Sequence, residues 1–167
     1  MKDLATIAII VLLVLYRLGS APIVAQSLGA KSVVTTTMAV LAPFSATGAV
    51  WCFQVGCQHW GTDFAGVDGT PVFTPFDLTI IALGEYGPGP TWGQYVQGTF
   101  PDGAVFYAGH LRDRPAFSIG QTLAAGTLIG YTNSYNHTHV QLGPPGDAGP
   151  CAQSGSCLNF EEYYAAH

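Results

Sequence analysis

The sequence predicts an all-β protein: a small antiparallel β-sheet domain with an N-terminal hydrophobic segment and a short C-terminal helix. Three observations predict it. The 167 residues hold 21 Gly and 11 Pro but only 9% charged residues, a composition suited to short strands and many turns. Strand-like runs rich in Val, Thr and Ile recur between those turns. Past the N-terminal segment, a single stretch, Phe160 to Ala166, reads as helical.

The elements follow in order. Leu4 to Tyr16 is an almost unbroken apolar run between Lys2 and Arg17, shorter than the ~20 residues a membrane span needs and suited to a signal-peptide core. Ile23-Val24-Ala25 before Gln26 is an acceptable cleavage site. The alternative is an uncleaved anchor, since apolar character resumes through Val24 and Arg17 can snorkel. Either way residues 1–25 direct export, and membrane association would run through them. Residues 26–41 are a linker and first strand, with Ser32 to Val40 rich in Val and Thr. Residues 42–147 form the main domain. In it Pro71-Val72-Phe73, Asp77 to Leu83, Thr122 to Tyr131 and His139 to Leu142 carry strand signal. Gln94 to Gly98 and Ala104 to Ala108 flank a Phe-Pro-Asp-Gly turn, as in a β-hairpin. Gly84 to Gly93, with four Gly and two Pro, reads as an irregular loop. Residues 148–167 bring two cysteines and then the helix, with Asn159 as N-cap and Glu161 and Glu162 in the first turn.

The net charge of −5 and the lack of a basic stripe exclude nucleic acid as a partner. The four cysteines fall in two pairs, Cys52 with Cys57 and Cys151 with Cys157. In an exported chain they read as two disulfides, and pairing within each cluster is the simplest of three connectivities. A four-thiolate zinc site is the competing reading, but neither pair has the usual ligand spacing.

The chemistry sits on histidines. His59 and Asp63, four apart, can reach one ion from a strand and its adjoining turn. His137 and His139, two apart, project from one face of a strand, while Val140 and Leu142 require a core. His110 follows the Ala104 to Ala108 strand, and His167 is the last residue. Each motif alone is ordinary. Together they supply three ligands, from His59, Asp63 and one histidine of the pair, and leave two histidines for proton handling. No His-Glu-x-x-His segment exists, so a histidine, whose pKa lies near neutral, must do the work of the glutamate base.

The order His-x3-Asp, then Tyr107-x-x-His110-Leu111, then His137-x-His139, resembles the lysostaphin-type (LytM-like) zinc endopeptidases. Gly61 to Ala65, Asp68 to Val72, Pro75 to Ile80, Ile119 to Gln121 and Gly126 to Gly130 are also similar to that family, so the likeness runs from about Ala42 to Leu142. The resemblance implies the lysostaphin-like (duplicated hybrid motif) fold, Zn2+ held by His59, Asp63 and His139, catalytic roles for His110 and His137, and hydrolysis of peptide bridges or stem peptides of bacterial peptidoglycan. Tyr107 or Tyr135 could add a hydrogen-bond donor, and the Gly84 to Gly93 loop with Trp92 a cleft wall. The alternative within the family is a non-catalytic domain that binds cell wall or builds an envelope or virion; all five site positions being filled argues against it. A purely structural zinc would want a fourth protein ligand. The sequence departs from the family in a compressed loop, Thr132 to Asn136, in Thr138 between the histidines where Leu is usual, and in Val140-Gln141 for a typical Phe-Glu.

Overall fold

A computed structural model describes residues 38–44, 59–87, 89–147, 149, 151 and 155–167. The expected signal peptide or anchor, residues 1–25, most of the linker and the Cys52–Cys57 pair lie outside the described residues. Among the described residues no helix is long and apolar enough to cross a membrane.

The described strands are β1 (Val40–Ala42), β2 (Thr62–Ala65), β3 (Pro71–Phe73), β4 (Leu78–Glu85), β5 (Gln94–Thr99), β6 (Val105–Leu111), β7 (Thr122–Leu123), β8 (Leu128–Tyr131) and β9 (His137–Gly143), followed by helix α1 (Phe160–Ala166). Seven of them form an antiparallel sheet in the order β1-β2-β9-β6-β5-β4-β7, and β3 pairs with β8 in a second, two-stranded sheet. The expected β5–β6 hairpin is present. Its turn closes by the Gly103 N–H donating to Phe100 O at 2.9 Å, with Gly103 at a φ of 89° that favours glycine, while Asp102 Oδ1 accepts from Ala104 N at 3.0 Å.

Two expectations need refining. The Gly84 to Gly93 segment is not wholly irregular, because Gly84 and Glu85 extend β4 and pair with Tyr95 and Gln94. Only beyond them does the chain leave the sheet, through a 3-10 turn at Pro90–Trp92. The strand signal from Thr122 to Tyr131 is two strands, with β7 on the edge of the large sheet and β8 in the small one. A turn at Ala124 to Thr127, held by Thr127 Oγ1 donating to Ala124 O at 2.7 Å, separates them. Both Leu123 and Ile129 are buried, so apolar pattern alone could not tell one strand from two.

Alternation across the strands sets one face of the sheet to the core and the other to a cleft. Phe106 opposes Leu142 and Ala108 opposes Val140, all buried. On the other face Asp63 opposes His139, Tyr107 opposes Gln141 and Gly109 opposes His139. Helix α1 closes the core: Phe160 is 1% exposed, with its ring edge-on to Phe64 at 5.9 Å. Asn159 caps the helix as expected, its side chain accepting from the amides of Glu161 and Glu162 at 3.0 and 3.4 Å. A disulfide joins Cys151 and Cys157, the pairing expected within that cluster.

Candidate metal centre and active site

The registers of β2 and β9 place His59, Asp63 and His139 together. Asp63 and His139 face each other across the strand pair, and His59 enters from the segment just before β2. All three are buried, and one donor atom from each lies within 4.8 Å of the other two. His139 Nδ1 donates to Asp63 Oδ1 at 2.7 Å; His59 Nε2 lies 3.1 Å from His139 Nδ1 and 3.3 Å from Asp63 Oδ1. The close approach depends on Gly61. A Cβ there would sit 2.5 Å from Val140 O and 2.6 Å from His139 Cε1, so no side chain fits.

Burial alone would raise the Asp63 carboxyl, but the imidazoles of His139 and His59 outweigh it and hold Asp63 well below the usual carboxylate range. For His139 burial dominates over the pull of Asp63 and lowers its pKa. For His59 burial also lowers, but Asp63 more than offsets it and the net shift is upward. An ionised carboxylate beside two imidazoles is a donor set that zinc accepts.

His110 and His137 enter the same cleft, with ring centroids 4.6 Å apart. His110, next to last in β6, lies at a β-bulge: Val96 pairs with Ala108 and Gln94 with Leu111, so Tyr95 alone opposes both Gly109 and His110. His110 takes φ 58°, a left-handed conformation that turns its side chain out of the strand's alternation. Its Nδ1–H donates to Trp92 O at 2.9 Å, and the same carbonyl accepts from Asn133 Nδ2 at 3.1 Å. Burial, then the neighbouring His137, push the His110 imidazole down to about 4, so it is neutral near pH 7. His137 Nδ1–H donates to Tyr135 O at 2.9 Å, and its Nε2 lies 3.9 Å from Asp63 Oδ1. In both rings the Nδ1 proton is held by a backbone carbonyl, leaving Nε2 for the cleft.

The cleft holds about 350 Å³ and is walled by Trp60, Tyr86, Trp92, Tyr135 and Gln141 around the four histidines and Asp63. Trp92 and Tyr135 therefore stand where the sequence places them. Tyr107 does not line the cleft; it is buried and stacked on Tyr95 at 4.8 Å. Its position two residues along β6 from Gly109 puts it on the cleft-side face, but Tyr86 covers it, at 5.8 Å between rings. Tyr86, Trp60 and Gln141 are cleft residues that sequence reasoning missed, and Tyr86 lies nearest His110. It packs edge-on against His110 at 4.5 Å, and a Cβ on Gly109 would strike its ring at 2.7 Å. Its signal was faint: one aromatic among the glycines and prolines after β4. Asn133, which braces the Trp92 carbonyl, was equally inconspicuous inside the compressed loop.

The sequence pattern of Peptidase family M23 matches residues 57–161. Among solved structures, the catalytic domain of lysostaphin from Staphylococcus simulans is similar at 20% identity and a TM-score of 0.57, over 76% of this chain and 90% of that one. A point mutant of the catalytic domain of the prophage-encoded M23 protein EnpA from Enterococcus faecalis matches at 20% identity and 0.57, over 74% and 89%. A zinc-containing peptidase from Vibrio cholerae matches at 23% and 0.55, over 67% of this chain and 35% of that one. No curated protein sequence matches significantly.

Proposed function

The chain belongs to Peptidase family M23, and on that premise we propose that His59 Nε2, Asp63 Oδ1 and His139 Nδ1 hold the Zn2+ of a peptidoglycan endopeptidase, with His110 and His137 as its catalytic pair. The single observation that carries this reading is the convergence of those three buried donor atoms at the floor of an open cleft that both other histidines enter. The donors fit the ion: two imidazole nitrogens and a carboxylate kept ionised, a set of three that suits a catalytic zinc more than a closed structural one.

When bound, the ion supplies Lewis acidity, favouring ionisation of water and polarising the scissile carbonyl. The chain's own residues do the rest. His110 and His137 lie side by side, each with Nδ1–H held by a backbone carbonyl, so one, as the neutral ring, accepts the proton of the attacking water at Nε2, and the other, when protonated on both nitrogens, donates from Nε2 to the oxygen that gains charge. Trp92, Tyr135 and Tyr86 pack against the His110 ring, and Tyr135 also against His137. The aromatic walls bind an extended peptide by its backbone and small side chains, as suits the short bridges or stem peptides of peptidoglycan. The domain accordingly works outside the cytoplasm, delivered by residues 1–25 as signal peptide or anchor.

The test is to incubate the full chain with purified peptidoglycans of different cross-bridge chemistry, with and without a chelator, and to identify new amino termini. New termini that vanish with chelator and return with zinc are expected. Intact peptidoglycan of every type, with zinc bound stoichiometrically, would leave the non-catalytic alternative.

A further inference from the structure

Away from the histidine cleft the molecule has a second concavity. It lies where the β5–β6 turn meets helix α1, at the end of β6 remote from His110, and holds about 350 Å³. Its walls are aromatic. Phe76, Phe100 and Tyr163 mark the corners of a nearly equilateral triangle, with ring centroids 5.1, 5.9 and 6.0 Å apart. Phe76 is close to perpendicular to the other two rings, at 81° and 83°. The rim is negative: Asp77 and Asp102 both line the pocket, and among the described residues no lysine or arginine does. Backbone amides pin both carboxylates. Asp77 Oδ1 accepts from Ala125 N at 2.9 Å and Asp102 Oδ1 from Ala104 N at 3.0 Å. Asp102 Oδ2 accepts from the Tyr163 hydroxyl at 2.8 Å. His167 lays its ring on Tyr163 at 4.2 Å and sets its Nε2 3.9 Å from Asp102 Oδ2. The chain itself thus brings an ionisable ring to the place where aromatic surface and carboxylate meet.

We propose that this pocket binds a quaternary ammonium group, of the trimethylalkylammonium kind, over Phe76, Phe100 and Tyr163 and beside Asp77 and Asp102. A cation above that triangle can lie within about 6 Å of all three centroids, the range in which an aromatic quadrupole attracts it. Hydrogen-bond capacity selects the kind of cation. A primary ammonium is compact and strongly hydrated, and its three N–H donors need acceptors. Three of the four carboxylate oxygens here already accept from the chain, and ring carbons cannot replace the water such an ion gives up. A quaternary ammonium has no N–H, so ring surface and nearby negative charge satisfy it. Because the pocket is separate from the histidine cleft, a ligand held there tethers the domain to a surface bearing such groups and leaves the cleft free.

The test is a titration of the 15N-labelled full chain with choline, read at the amides of Ala104 and Ala125, whose N–H groups touch the two carboxylates. Both resonances should shift saturably. 3,3-Dimethyl-1-butanol, the uncharged isostere of choline, should bind about 2–30-fold more weakly, the range one cation–π contact is worth. n-Butylammonium should also bind more weakly than choline. Phe76→Leu, which keeps apolar bulk without the ring, should lose affinity over the same range of about 2–30-fold. Asp77 is exposed, and Asp77→Asn keeps an acceptor for Ala125 N while removing the charge. It should weaken choline about fivefold, the effect of one unit charge at ~4 Å in water. An isostere that matches choline would show a merely apolar pocket, and an equal n-butylammonium would remove the preference for the quaternary ion; either overturns the proposal. So does the absence of a saturable shift at Ala104 and Ala125, or a choline response confined to the histidine cleft. Should Phe76→Leu fail to fold, Asp77→Asn and the isostere still decide. None of these measurements involves zinc or hydrolysis, so their outcome is independent of the reading of the cleft.

Discussion

Four of the five histidines share one device. His59, His110, His137 and His167 each donate Nδ1–H to a backbone carbonyl, of Pro43, Trp92, Tyr135 and Tyr163, at 2.9–3.1 Å. That bond sets ring orientation and leaves Nε2 as the working atom. His139 is the exception: its Nδ1 faces Asp63 and its Nε2 faces Gln141. The proposed roles are separated by experiment. His137→Ala should keep zinc, by metal analysis, while turnover on peptidoglycan falls by about 10²–10⁴-fold, the usual share of general acid–base catalysis. Asp63→Ala should lose zinc and turnover together. Loss of zinc in His137→Ala would make it a ligand and undo the assignment. Gly61→Ala probes the same centre without touching a ligand. Its Cβ would meet Val140 O, a backbone atom, and the His139 ring. Overpacking of this kind costs about 1–3 kcal/mol, so urea unfolding should show a loss of that order together with weakened zinc binding.

At the scale of elements, the site is built where strands end or are interrupted. His110 sits on a bulge at the end of β6, and the β8–β9 connection places Asn136 at φ 58° just before His137. The compressed loop between them is ordered by Asn133: its amide donates to Trp92 O, its Oδ1 accepts from Tyr135 N at 3.0 Å, and its own N–H donates to His110 O at 3.1 Å. The opposite end of the domain has a different lock. Asp102, in the β5–β6 turn, accepts from Ala104 N and from the Tyr163 hydroxyl of α1 at 2.8 Å. Burial would raise the carboxyl, but those two hydrogen bonds outweigh it and its pKa is lowered. A carboxyl with a depressed folded-state pKa contributes stability above its unfolded value of ~3.9 and loses it as pH falls through the folded value. Asp102→Asn should therefore flatten the fall of unfolding free energy below about pH 4, measured by urea titrations across that range. An unchanged acid slope would show that the turn and the helix are not coupled through this group.

Across the whole molecule, the main sheet joins segments far apart in the chain. β2 pairs with β9 and β9 with β6, so residues 59–65, 105–111 and 137–143 become neighbours. A ligand held between β2 and β9 staples the sheet at that join. Zinc at a free concentration a hundredfold above its Kd should stabilise the fold by about 2.7 kcal/mol. The melting temperature should rise by several degrees with zinc and fall back with chelator, and His139→Ala should abolish the shift. A shift that survives His139→Ala would place the stabilising metal elsewhere.

Local chemistry decided much of this in advance. Helix α1 was legible because Asn159, Glu161 and Glu162 act within one turn, and the hairpin because Phe-Pro-Asp-Gly dictates its own bend. The five candidate residues that meet in the cleft were legible as candidates because zinc and acid–base chemistry accept few side chains, and His137 and His139 are spaced as a strand presents them on one face. What only the tertiary structure decided is whatever depends on partners distant in sequence: that Thr122 to Tyr131 serves two sheets, that Tyr86 rather than Tyr107 walls the cleft, and which nitrogen each imidazole offers. Those outcomes are set by packing and hydrogen-bond partners brought from elsewhere in the fold, and a linear pattern of residues carries no trace of which partner will arrive.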